Sequence, residues 1–141
     1  MSEHTKRAIY SRLTGDIVLC AMLATDAGGN IAIYNASYNK ANPAIFPCIT
    51  FREADGSADQ RVTGGTVDTE YFDLEIWART ESALVVPQIA GRMDVLLHNQ
   101  TLSLTSGVNY NCSRVAQAPD QWDDKNKLHF GLYRYKLVVG R

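Results

Sequence analysis

The residues able to do chemistry in this chain are few and scattered. Cys20, Cys48 and Cys112 lie far apart, with no Cys-x-x-Cys pair and no histidine at metal-ligand spacing. Each sits among apolar or strand-like neighbours, which fits a small buried hydrophobe, so neither a disulfide framework nor a metal site is expected. His4, His98 and His129 fall in a terminus, a helix end and a strand start. None has a neighbour that would make a nucleophile–base pair. Gly28-Gly29 is too short to cradle a phosphate, and no Gly-x-x-x-x-Gly-Lys-Ser/Thr string occurs. Gly64-Gly65 lies between strand-like runs, not at a helix start. Asp120, Asp123 and Asp124 lack the regular oxygen spacing of a calcium loop and suit a solvated acidic loop. No cofactor is expected, and the pattern argues against an enzyme.

The elements that would position a site are easier to read. The 141 residues fit one domain, and 45% apolar with 21% charged residues is ordinary for a globular chain. A net charge of −1 supplies no field that draws nucleic acid. No apolar run approaches the roughly 18 residues of a spanning helix, so no membrane partner is expected. MSEHTKRAIY has no apolar signal core, which implies a start in the cytoplasm.

Ile9, Leu13, Ile17, Cys20 and Ala24 form a helical stripe interrupted at Thr14-Gly15-Asp16, which predicts one helix ending near Leu13 and another over Ile17–Leu23. Ile31–Tyr34 is a short strand, Asn35–Pro43 a polar loop, and Ala44–Arg52 a strand with Pro47 at its start or on an edge. Glu53–Thr66 offers little apolar surface against its ordering entropy. A long mobile hairpin loop is expected there, in which Asp55, Gly56, Asp59, Arg61, Gly64 and Gly65 either are solvated or order against a partner in an assembly.

Val67–Arg79 is the most regular strand. Phe72, Leu74, Ile76 and Ala78 alternate with Tyr71, Asp73, Glu75 and Trp77. Thr80 is placed to cap a helix from Glu81, whose stripe is Val85, Ile89, Met93 and Leu96. Pro87 alternatively marks a start near Val86. A weak strand over Thr101–Leu104, a strand over Val108–Val115 with Val108, Tyr110 and Cys112 on one face, and a loop over Ala116–Lys127 follow. Leu128–Val139 closes the chain as a strand. The class is α+β, a mostly antiparallel sheet with helices on one face, in the order α-(α)-β-β-β-α-β-β.

The row Tyr71, Asp73, Glu75, Trp77 is too polar for an interior and rich in the aromatics that partners use. It either packs under a loop of its own chain or meets another subunit. Arg134 and Lys136 share its period, and on a neighbouring strand they would pair with its acids.

Several strings resemble the tail completion, or tail terminator, proteins of long-tailed bacteriophages. They are Arg7-Ala8-Ile9-Tyr10, Leu13-Thr14-Gly15-Asp16, Pro47-Cys48-Ile49-Thr50, Phe72-Asp73-Leu74-Glu75-Ile76-Trp77 and Gly131-Leu132-Tyr133-Arg134-Tyr135. The match is one of position and spans nearly the whole chain, with the polar loops and Pro87 departing from it. The resemblance implies a structural virion protein assembled in the host cytoplasm. It would form a homo-oligomer, a hexameric ring on the head-proximal end of the tail tube, that stops polymerisation of the tail tube protein. The ring would present the surface met by the head–tail connector protein, and DNA would pass through its lumen without specific binding. A head-completion or neck protein is the alternative within the virion, and a small ligand-binding α+β domain the alternative outside it.

Overall fold

A computed structural model describes residues 3–25, 28–35, 45–62, 65–79, 84–104 and 107–140, with backbone alone at 35, 55–62 and 65–66. The elements are α1 (Glu3–Thr14), α2 (Ile17–Met22), β1 (Ile33–Asn35), β2 (Cys48–Val62), β3 (Gly65–Arg79), α3 (Val85–Leu97), β4 (Val108–Asp123) and β5 (Leu128–Gly140). They follow the expected order. The five strands lie as β1-β2-β3-β5-β4, antiparallel throughout except for the short parallel pair β1–β2.

Strict alternation in β3 does what period two demands. Phe72, Leu74, Ile76 and Ala78 are fully buried on the face that the helices cover. Tyr133, Tyr135, Leu137 and Val139 of β5 continue that face, and Ile9, Leu13, Leu19, Ile89, Met93 and Leu97 close it from the helices. Each such side chain contributes about 1.5–3 kcal/mol of burial before entropy is subtracted.

Local chemistry explains where the helices depart from expectation. The chain leaves its helical path at Gly15, where a Cβ would stand 2.9 Å from the Ser11 carbonyl oxygen. That break resets the phase of α2, so Leu19 is buried and Ile17 is 86% exposed, contrary to the single stripe expected. α3 starts at Val85 with Leu84 at its cap position and no side-chain cap. Pro87 therefore falls in the first turn, where a missing N–H loses nothing. The expected cap at Thr80 lies outside the described residues, as does most of the expected Asn35–Pro43 loop.

Two expected loops are strand in the structure. β2 continues past Arg52 to Val62 and pairs with β3 as far as Gly65, with a register shift between Ala54 and Ala58. β4 continues past Val115 to Asp123, with shifts at Asn109/Asn111, Arg114/Ala116 and Ala118/Gln121. Both stretches are poor in apolar side chains. Their backbones are ordered by a well-formed neighbouring strand, which local composition does not report. The expected weak strand at 101–104 is irregular chain. Gln100 bridges Cys112, and the Leu102 N–H donates to Asn109 Oδ1 at 2.7 Å.

Asp16 ties α2 to α3. Its carboxylate accepts from the Leu19 N–H at 2.8 Å and from Arg92 Nε and Nη2 at 2.7 and 2.6 Å. The hydrogen bond from Arg92 outweighs burial and holds the carboxyl down, from 3.8 to about 2. With the folded value below the unfolded one, this stabilisation is complete above about pH 4 and is lost as pH falls through about 2. Asp16→Ala is expected to lower the unfolding free energy by about 2 kcal/mol at neutral pH. Asp16→Asn should cost less, because its amide oxygen still caps. In urea titrations the alanine penalty should shrink as pH drops below 4, and a penalty that stays constant in acid contradicts the assignment.

Candidate subunit interface

The helices occupy one face of the sheet, and no described helix lies on the other. That second face carries Tyr71, Asp73, Glu75 and Trp77 of β3 with Arg134 and Lys136 of β5, so the two charged rows do lie side by side. Register decides which charges meet. Asp73 stands opposite Arg134 and takes it in a two-toothed pair, Nε to Oδ1 at 2.8 Å and Nη2 to Oδ2 at 3.1 Å. Glu75 stands opposite Leu132 and Thr50, so Arg134 and Arg52 both lie diagonal to it, and Arg134 is taken by Asp73. Glu75 reaches across to Arg52 of β2 at 2.9 Å instead. Burial pushes the Glu75 carboxyl above its ordinary value; Arg52 pulls it back and neighbouring Asp73 adds to the rise. Lys136 faces Tyr71, and among the described residues it has no carboxylate partner.

Trp77 sits differently from an interface residue. It is 9% exposed, stacks on Phe130 with ring centroids 4.5 Å apart, and donates from Nε1 to Thr50 Oγ1 at 3.3 Å. Together with Ala32, Cys48 and Leu128 it makes a second small core at that end of the sheet, flanked by Tyr34 and Phe46. The row expected from β3 thus divides into three parts: Trp77 packed within its own chain, the acids engaged by arginines, and Tyr71 half-buried on an open stretch.

Of the assembly-loop residues, Asp59 pairs with Asp68 and Arg61 with Thr66 along the β2–β3 ladder, and Gly65 pairs with Val62. Asp55 and Gly56 lie in the register shift, and Gly64 lies outside the described residues.

Two further surface features escaped the sequence. Tyr110, expected to point the same way as Cys112, is 61% exposed while Cys112 is fully buried, because the β4 register skips it. A groove of about 350 Å³ opens between the start of α3 and the end of the β4–β5 hairpin, with Leu84, Pro87, Asp120, Trp122, His129 and Phe130 among its walls. Its walls come from segments more than thirty residues apart, so no local pattern announces it. Trp122 packs against His129 with centroids 4.8 Å apart.

No cluster of ligating side chains that could hold a metal occurs among the described residues. Burial drives the Cys48 and Cys112 thiols up to about 12, which keeps them protonated and unreactive at neutral pH.

Of three comparisons with known proteins, two find matches. The family model described as "Tail completion protein gp17" matches residues 7–140. Among solved structures, a chain of one described as "Virion of native gene transfer agent (GTA) particle" superposes with a TM-score of 0.79 at 16% identity, covering 100% of both chains. At that identity the likeness speaks to the fold. No curated protein matches.

Proposed function

The chain belongs to the tail completion protein gp17 family, and from that premise we propose that it ends the tail tube of a phage-like particle. Copies of the chain form a ring, hexameric as the family resemblance implies, on the head-proximal end of the tube. The ring blocks addition of further tube protein and presents the surface that the head–tail connector meets. The role is structural and draws on no catalytic group. The observation that carries the proposal is the family match, which extends over nearly the entire chain.

The fold agrees with it in two respects. A ring is built from one patch meeting a different patch on the next subunit, and this sheet has an open face that differs from its helix-covered face. A channel for DNA must not grip phosphate, and a net charge of −1 supplies no strong cationic field, while Arg52 and Arg134 on the open face are both held by carboxylates.

Deleting the gene from a particle that carries it is the test. Negative-stain images should then show over-long tails and tails separated from filled heads. Normal tails on normal heads contradict the proposal. Tails of normal length beside heads that lose their DNA would assign the chain to the neck instead.

A further inference from the structure

Tyr110 is held on the open face by two independent features. β4 pairs Asn109 with Val139 and Asn111 with Val138, so Tyr110 is the extra residue of a bulge, a device that re-aims a side chain. Its ring then occupies the space of a missing side chain. A Cβ on Gly140 would stand 2.7 Å from Tyr110 Cε2 and 2.8 Å from its hydroxyl. The ring lies over Gly140, on the face that also carries Tyr71 and Lys136. The result is an aromatic platform whose one charge, Lys136, has no carboxylate among the described residues.

The groove beside Trp122 has the complementary character. Leu84 is 79% exposed and Trp122 44%, so its apolar walls stand open. Among the described residues Asp120 is the one carboxylate lining it, and it makes no ion pair with them. Register places the two patches at opposite ends of the sheet. Tyr110 lies between the partners of Val139 and Val138 and Trp122 pairs with His129, which separates the two aromatic rings by about 30 Å along β5 at ~3.3 Å per residue. Patches that differ, and that lie at opposite ends of one chain, are what a head-to-tail contact between identical copies requires.

We propose that the Tyr110 platform of one copy docks into the groove of a second copy, with Leu84 and Trp122 closing on the Tyr110 ring and Lys136 meeting Asp120. The contact deepens the ring proposed above and rests on it. It places the two exposed aromatic side chains of β4, Tyr110 and Trp122, and the exposed Leu84 in a single interface.

Two substitution sets test it on the full chain, assembled in the presence of tube protein. Asn111→Cys with Gln121→Cys puts thiols on exposed positions beside the platform and in the groove. Oxidation should give a ladder of linked copies ending in a closed ring, absent from either single variant. Lys136→Glu should raise the concentration for half-maximal ring formation about tenfold, and adding Asp120→Lys should restore it. Tyr110→Ala, at an exposed site, should weaken assembly while leaving the thermal melt unchanged. If wild-type rings form and these variants assemble as well as wild type, the docking is wrong and the ring stands. Crosslinks to tube protein in place of a second copy also overturn it. If the wild-type chain forms no ring at all, the ring reading itself fails, and the docking with it.

Discussion

Arg134→Glu is expected to destabilise the fold by about 3–4 kcal/mol, more than any other single change on the open face. Asp73 is 4% exposed, and Arg134 supplies both of its charge-assisted hydrogen bonds. Removing the guanidinium leaves a buried carboxylate without its direct partner, and only Arg52, opposite it on β2 and engaged by Glu75, nearby. Reversal goes further, because Glu75 lies two residues along the same face, so three carboxylates would share one patch with Arg52 alone. The full penalty for breaking a buried pair is tempered here, since the Arg134 side chain is 40% exposed and water screens part of the charge. Arg134→Ala should accordingly cost about 2–3 kcal/mol. Asp73→Arg combined with Arg134→Asp should recover part of the loss, whereas Glu75→Lys combined with Arg134→Glu should show little coupling, because those two residues do not touch. Urea denaturation of the two double-mutant cycles separates the cases. Stronger coupling for Glu75 than for Asp73 would show that the register assigned to β3 and β5 is wrong.

Phe72→Ala should cost about 3–5 kcal/mol. The side chain is fully buried at the centre of the sheet and stacks on Tyr135, with ring centroids 5.6 Å apart and planes 14° from parallel. Helices cover it from above and strands flank it on both sides, so the site has little freedom to collapse into the void. A loss of this size approaches the whole stability of many domains. The variant should melt roughly 10–15 °C lower by circular dichroism, or fail to fold. Val95→Ala, on the solvent side of α3, serves as the control and should stay within about 0.5 kcal/mol of wild type. Equal effects at the two positions would contradict the assignment of the core face.

What could be read from the chain depended on whether a signal was local. Alternation in β3 and β5 and the stripe of α3 are properties of consecutive residues, and each element appears where its period placed it. The family strings, among them Arg7-Ala8-Ile9-Tyr10 and Gly131-Leu132-Tyr133-Arg134-Tyr135, lie within the 7–140 span of the family match. Ile17 was misassigned because a single stripe was drawn through Gly15, where the chain changes direction. The outer half of β2 and the second half of β4 look like loop because their order comes from a partner strand. The charged rows were legible as neighbours, yet which acid meets which base is not: register sets Asp73 against Arg134, and Glu75 pairs diagonally with Arg52. Tyr110 and the groove were invisible for a similar reason. A bulge exists only relative to the strand it is paired with, and the groove only where residues 84–87 meet residues 119–130.

The central claim is that this chain ends a tube. Its most direct test is to add purified protein, in amounts far below the tube protein, to tubes growing in vitro and to follow their length by electron microscopy. Elongation should stop, with a ring visible at one end of each arrested tube. Tubes that continue to lengthen at the uninhibited rate, with bare ends, would contradict the account.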